Sequence, residues 1–190
     1  MKTRILAGLF KNRPILLPKG VKTRPITQSL KKSIFDILGE RIAGANVLDL
    51  FAGSGSIGLE ALSRGSRFCL FVDKSREAKN ALCQNIELLK VQDRSRFLYQ
   101  DAFRLIEGPC PFSPFDLLFL DPPYPFGRQG YERLLSILDK NRSWTHEGSL
   151  LIVEMPSVLA TCIEPPSRFI RDRVKRTGTT HVAFYTVSLT

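Results

Sequence analysis

Histidine and cysteine are scarce in this chain, long apolar runs are missing, and each shortage removes a class of protein. Only His146 and His181 are present, one in an expected loop and one in an expected strand, and neither has a partner by spacing. The four cysteines, Cys69, Cys83, Cys110 and Cys162, are scattered without a CxxC pair or a neighbouring histidine. Zinc ligation and a disulfide framework are therefore not expected. Cys69 and Cys83 fall in apolar periodic segments and are expected in the core. No stretch approaches the roughly 18 apolar residues of a membrane span. The opening "MKTRILAGLFKNR" offers six apolar residues before charge returns, fewer than the roughly 7–15 of a secretory signal. A cytoplasmic protein with no membrane and no metal partner is expected. The chain has no repeat and no low-complexity linker.

Acidic residues are also missing from residues 1–35, where Lys2, Arg4, Lys11, Arg13, Lys19, Lys22, Arg24, Lys31 and Lys32 lie. A second basic cluster, Arg168, Arg171, Arg173, Lys175 and Arg176, sits near the C-terminus. Overall, 28 Lys and Arg against 18 Asp and Glu give a net charge of +10. Blocks of one sign point to a polyanion such as nucleic acid, although a solvated basic face has the same composition.

What the sequence does contain fits one domain over residues 1–190, a basic hairpin-like arm over 1–25 leading into a core over 26–190. "TQSLKKSIFDILGERI" spaces Leu30, Ile34, Ile37, Leu38 and Ile42 as a helix with Thr27 as N-cap. Strand and helix patterns then alternate through "NVLDLF", "IGLEALSR", "FCLFVD", "SREAKNALCQNIELLK", "RFLYQD", "FDLLFLD", "GYERLLSILDKN" and "SLLIVEM". The strands are continuously apolar, as in a sheet covered on both faces. The pattern predicts an α/β, Rossmann-like, doubly wound and mainly parallel sheet. "RFIRDRVKRTGTTHVAFYTVSL" adds two strands around a turn, expected to be antiparallel. Trp144 is expected as a core or loop anchor, and Glu60 as a capping or packing contact.

In such a sheet ligands bind beyond the strands' C-terminal ends. The first core strand ends in "DLFAGSGSIG", where Gly53, Gly55 and Gly58 satisfy GxGxxG and Asp73 follows Gly53 by 20 residues. That spacing suits a dinucleotide or any adenosine cofactor. Asp49 precedes the loop, where a dinucleotide site ordinarily continues its apolar strand, and Asp101 ends the third strand. Three successive strand-end acids suit a cationic, amino-bearing adenosine cofactor, S-adenosylmethionine. The fourth strand runs into Asp121, Pro122, Pro123 and Tyr124. Asp121 and the Pro122 carbonyl can each accept one N–H of an exocyclic amine, aiming its lone pair at a methyl group. The two prolines stiffen those acceptors, and Tyr124 suits stacking on the base, with help from Phe126.

"DLFAGSGSIGLEALSRG" with "DPPY" resembles amino-methyltransferases of nucleobases. "RILAG", "KNRPILLP" and "TRPITQSLKKSIFDIL" are similar to the start of the RsmD family, bacterial enzymes that methylate N2 of a guanine in small-subunit (16S) ribosomal RNA. The resemblance spans nearly the whole chain. It implies a cofactor loop of Asp49, Phe51, Ala52, Gly53, Ser54 and Gly55, with Asp73 on the ribose and Asp101 and Ala102 on the adenine. It implies catalysis at Asp121, Pro122, Pro123 and Tyr124, and RNA contact through Arg4, Lys11, Arg13 and Arg24. The implied partner is ribosomal RNA or the small ribosomal subunit, met by a monomer. This chain departs from the family at "RPITQS", where Ile26, Gln28 and Ser29 replace the usual residues, and in its C-terminal hairpin. The alternative is a DNA adenine-N6 or cytosine-N4 methyltransferase, which shares DPPY but needs a target-recognition region this length does not hold. A non-catalytic RNA-binding module would need none of the glycines or strand-end acids. A hydride-transfer enzyme leaves DPPY unexplained.

Overall fold

Residues 2–18, 20, 26–123 and 126–188 are described by the computed structural model. Strands β1 (Lys2–Arg4) and β2 (Pro14–Leu16) pair antiparallel and form the expected arm. Helix α1 (Gln28–Leu38) is capped by Thr27, whose hydroxyl accepts from the Leu30 N–H at 3.2 Å. It ends at Gly39, so Ile42 falls in the following 3-10 turn rather than on the helix.

The alternating segments become β3 (Asn46–Asp49), α2 (Ser56–Ser63), β4 (Phe68–Asp73), α3 (Arg76–Leu89), β5 (Ser95–Tyr99) and α4 (Ala102–Glu107). They continue as β6 (Phe115–Leu120), α5 (Gly127–Lys140), β7 (Thr145–Pro156), β8 (Phe169–Thr177) and β9 (Thr180–Val187). The strands form a seven-stranded sheet ordered β5-β4-β3-β6-β7-β9-β8. It is parallel from β5 to β7, while β9 and β8 are antiparallel. The doubly wound, mainly parallel sheet expected from the sequence is what forms, and its order reverses between β3 and β6.

Side-chain alternation divides the core between two faces. Val47, Phe71, Leu117, Phe119, Ile152 and Phe184 meet α1, α2 and α3 on one face. Leu48, Leu70, Leu118, Leu120, Leu151 and Val153 meet α4 and α5 on the other. Each buried leucine contributes about 1.5–3 kcal/mol, which explains why the middle stretches of β3, β4 and β6 (Val47–Leu48, Cys69–Val72, Leu117–Leu120) are continuously apolar. No helix among the described residues is long and apolar enough to cross a membrane.

The arm is docked along α2 and α3. Glu60 accepts from the Leu6 and Ala7 N–H groups at 2.7 and 3.0 Å, and pairs with Lys31 at 3.2 Å and Arg64 at 2.8 Å. It is thus the expected packing contact, built as a buried polar hub that holds the arm. Asn85 accepts from the Leu16 N–H and donates to the Leu16 carbonyl.

Four expectations change on long-range contact. Cys69 is buried, but Cys83 is exposed on the outer side of α3. His146 lies within β7, with Nε2 3.0 Å from Asp116 Oδ1. Arg168 leaves the basic cluster: it is buried, donates to Thr145 Oγ1 at 2.7 Å and faces Asp139 at 3.3 Å. Phe126 packs against Phe51, Phe103 and Tyr131, so its ring is occupied in a wall. Trp144 is a core anchor, donating to the Gly108 carbonyl at 3.0 Å.

Candidate active site

The reversal between β3 and β6 opens a crevice at the strands' C-terminal ends, where open α/β sheets bind ligands. On the β3 side, Asp49 is buried and accepts from the Gly58 N–H at 3.0 Å, drawing the following loop back onto the first turn of α2. Gly55 holds the left-handed conformation, φ 79°, that lets the loop turn into the helix. Gly58 admits close helix–strand packing, since a Cβ there would lie 2.5 Å from the Cys69 sulfur. Ser54 is fixed through its carbonyl by Asn85, the residue that also grips Leu16 of the arm. Arm and loop therefore share a support. Ala52 is tied to β4 by its N–H, 2.9 Å from the Val72 carbonyl, and Phe51 meets Phe126 edge-on.

Asp73 ends β4 and accepts from the Gly53 and Ser75 N–H groups, both at 2.8 Å, which leaves lone pairs toward the crevice. Asp101 is committed more fully. It caps α4 through the Phe103 and Arg104 N–H groups and pairs with Lys74 at 2.9 Å. Burial alone would raise its carboxyl, but the lysine and these N–H bonds outweigh that and hold it below the ordinary range. Ala102 begins α4 beside it and is buried.

Across the crevice, Asp121 follows β6 directly, with Pro122 buried and Pro123 exposed. Tyr124 lies outside the described residues. Asp121 is exposed at the sheet edge, yet the surrounding wall desolvates its carboxyl, which is pushed up to about 6. Asp49 is pushed up to about 7 by burial, opposed by the Gly58 N–H and reinforced by the charges of Asp121 and Asp73. Among the described residues no cation pairs with Asp49 or Asp121.

Sequence reasoning missed Glu154. Pairing of Leu120 with Val153 brings Glu154 of β7 level with Asp121. Its carboxyl is half-buried and pushed up to about 8, by desolvation and then by the charge of Asp121. The signal was present in "LIVEM", an acid interrupting an apolar strand near its C-terminal end. Its neighbour on β9 is Val182, which in turn faces Lys175 of β8. The C-terminal hairpin thereby carries Lys175 and Arg176 at the level of the site.

The basic arm residues are spread out. Arg4, Lys11 and Arg13 are all exposed. Arg4 stands where its carbonyl accepts from Lys31, which also reaches Ser56 at the start of α2. Lys11 belongs to the turn held at Ser63 through the Leu9 and Phe10 N–H groups. That is the far end of α2, about 10 Å away at 1.5 Å per residue. Arg24 lies outside the described residues. The opposite edge of the sheet has two open concavities of about 280 and 330 Å³. They lie at strand N-termini, and the acid lining the first, Asp116, is already engaged by the Asn46 N–H and His146.

This sheet, its glycine loop and the acids around its switch point define a class I, Rossmann-like methyltransferase. The chain belongs to the RsmD family: the family model described as "Conserved hypothetical protein 95" matches residues 3–186. Ribosomal RNA small subunit methyltransferase D of Haemophilus influenzae is 34% identical over 156 residues, covering 80% of this chain and 78% of its own. Its Escherichia coli K12 namesake is 31% identical over 151 residues, covering 80% and 73%. A solved structure of yhhF, a candidate methyltransferase from Escherichia coli, matches with TM-score 0.86 and 28% identity over 98% of each chain. A candidate methyltransferase complexed with SAH shares the fold alone, at TM-score 0.64 and 14% identity, over 80% of this chain and 48% of its own.

Proposed function

We propose that this protein methylates the exocyclic N2 amine of a guanine in small-subunit (16S) ribosomal RNA, using S-adenosylmethionine. The carrying observation is the adjacency of Asp121, backed by two prolines, to the Asp49 loop across the switch point: the strands pair at Asp49 and Phe119, and Asp121 acts on the Asp49 carboxyl. The family relatives act on ribosomal RNA by their names, which supports the substrate class.

The loop fits a cationic adenosine cofactor because Asp49 has a buried carboxyl without a protein cation. Asp49, Phe51, Ala52, Gly53, Ser54 and Gly55 would hold its amino-acid end, Asp73 its ribose, and Asp101 with Ala102 its adenine. When bound, S-adenosylmethionine supplies an electrophilic methyl group. The protein's part is positioning: the Asp121 carboxylate and Pro122 carbonyl accept the two amine N–H groups and hold the nitrogen lone pair toward the methyl. They also stabilise positive charge developing on nitrogen, and Asp121 takes the proton the amine loses. Tyr124 would stack on a base drawn out of its helix, at a cost of a few kcal/mol.

Arg4 and Arg13, with Arg24, contact RNA phosphates on the arm side, and Lys11 reaches a more distant phosphate. Lys175 and Arg176 do the same on the hairpin side. The whole chain works as one methyltransferase unit and as a monomer. The test is transfer of labelled methyl to small-subunit particles lacking the modification, beside naked RNA and duplex DNA, with nucleoside digestion. N2-methylguanosine is expected. N6-methyladenine or N4-methylcytosine in DNA would replace this reading with the DNA enzyme.

A further inference from the structure

We propose that Glu154 accepts the ring N–H beside the target amine and thereby makes the site select guanine over adenine and cytosine. This rests on the guanine reading above and gives its specificity a residue.

The first ground is position. Leu120 pairs with Val153, so Asp121 and Glu154 stand on adjacent parallel strands, about 4.8 Å apart in the pairing direction. Leu117 and Phe119 on β6, and Leu150 and Ile152 on β7, belong to one face of the core. Alternation carries Asp121 and Glu154 to that same face. The turn that holds the amine thus has a second carboxyl beside it.

The second ground is that the fold does not need this carboxyl. Among the described residues no hydrogen-bond donor or cation meets the Glu154 side chain. Glu154 pairs with Val182 on β9, and on its other side Asp121 follows the Leu120–Val153 pair. Like charges side by side are destabilising, and a desolvated carboxyl without a donor is costly. The raised proton affinity of Glu154 reflects both causes. Glu60, on the same side of the sheet, has two backbone N–H groups and two cations. A carboxyl left without donors beside the catalytic turn is one to which a ligand brings them.

The third ground is nucleobase chemistry. Asp121 and the Pro122 carbonyl hold an exocyclic amine whatever ring carries it. In guanine the amine is flanked by two ring nitrogens, N3, an acceptor, and N1–H, a donor. In adenine the ring nitrogen beside the amine is N1 and in cytosine N3, both acceptors. Above about pH 8, where the Glu154 carboxyl has lost its proton, it accepts from the guanine N1–H and faces a repelling lone pair in the other two.

The test uses the full-length enzyme and small-subunit RNA at a pH above about 8, where Glu154 is ionised. The guanine methylated by the unmodified enzyme is mapped, and the RNA is rebuilt with 2-aminopurine at that position. 2-Aminopurine keeps the N2 amine, but its N1 is an acceptor. Wild type is expected to prefer guanine by about 10- to 100-fold in kcat/KM, the scale of a hydrogen bond to a charged group. Glu154→Gln should cut that preference at least about ten-fold, since its amide can donate as well as accept, with cofactor affinity unchanged. Glu154→Asp should keep the preference while losing rate. An unchanged guanine to 2-aminopurine ratio in Glu154→Gln overturns the assignment, even if both rates fall. A wild-type product on adenine or cytosine overturns the guanine reading itself, and this proposal with it.

Discussion

Glu60 and Glu154 are glutamates on the same side of one sheet, and their surroundings are opposite. Glu60 is fully buried yet satisfied by Leu6, Ala7, Lys31 and Arg64. Glu154 is half-buried, with no donor among the described residues and Asp121 beside it. Strand β6 repeats the contrast between its two ends. Asp116, at the start, accepts from the Asn46 N–H at 2.7 Å and meets His146 at 3.0 Å. Asp121, at the finish, meets no hydrogen-bond donor or cation among the described residues. Acids that hold the fold together are paired within it, as Asp73 and Asp101 also are, whereas Asp121 and Glu154 have no donor or cation among the described residues.

Removing a satisfied acid should therefore cost stability, whereas removing a crevice acid should cost function. The largest effect is expected from Glu60→Ala, which leaves buried Lys31 and two arm N–H groups without their partner. It should destabilise the chain by about 3–5 kcal/mol in denaturant titration. A loss below about 1 kcal/mol would mean the arm is held elsewhere. Asp121→Ala should lower turnover by about 10²–10³-fold, the scale of removing one transition-state acceptor or donor. Cofactor affinity, measured by calorimetry, should stay nearly constant; if it collapses, Asp121 belongs to the cofactor site instead.

The third expectation concerns pH. Glu154 has an ordinary value of 4.5 and is pushed up to about 8 in the fold. Between those values the folded chain keeps a proton that the unfolded chain has lost. Its contribution is fully present below about 4.5 and is lost as pH rises toward 8. Glu154→Gln should flatten this decline, so that its melting temperature gains on wild type between pH 5 and pH 8, by about 2–4 °C for each kcal/mol relieved. A constant difference across that range would mean the carboxyl is not desolvated. The fourth is electrostatic: neutralising Arg4, Lys11 and Arg13 should weaken RNA binding and reduce its salt slope, by about 0.7 for each single-strand phosphate that the arm no longer neutralises. Neutralising Lys175 and Arg176 should do the same, and an unchanged slope in either set removes that region from the RNA footprint. Smallest of all, Cys83→Ser on the exposed side of α3 should alter stability by no more than about 0.5 kcal/mol.

Much of this contrast is legible locally. Asp49, Asp73 and Asp121 announce themselves as acids closing apolar strands, and the glycine loop and double proline mark the turns they precede. Capping by Thr27 and the C-terminal hairpin follow from short-range chemistry in the same way. Asp101 is harder to read, because its link to Lys74 spans 27 residues, although its capping of α4 is local. Glu154 escapes a local reading because its meaning lies in a neighbour 33 positions away, which strand register alone supplies. His146 and Arg168 depart from expectation for the same reason, each finding its partner across at least 23 residues of sequence.

The sequence by itself determined the order of strands and helices, because the period of apolar residues and the turn chemistry act over a few positions. It also determined which strands end in acids. Tertiary structure alone decided which acids are neutralised and which are not, since that depends on the strand order and register that set β3 beside β6 and β6 beside β7. It also decided that the arm and the glycine loop share Asn85, and that Lys175 and Arg176 come level with the Asp121 turn. Those pairings depend on which distant backbone segments bury their apolar faces against each other, and no local pattern encodes that choice.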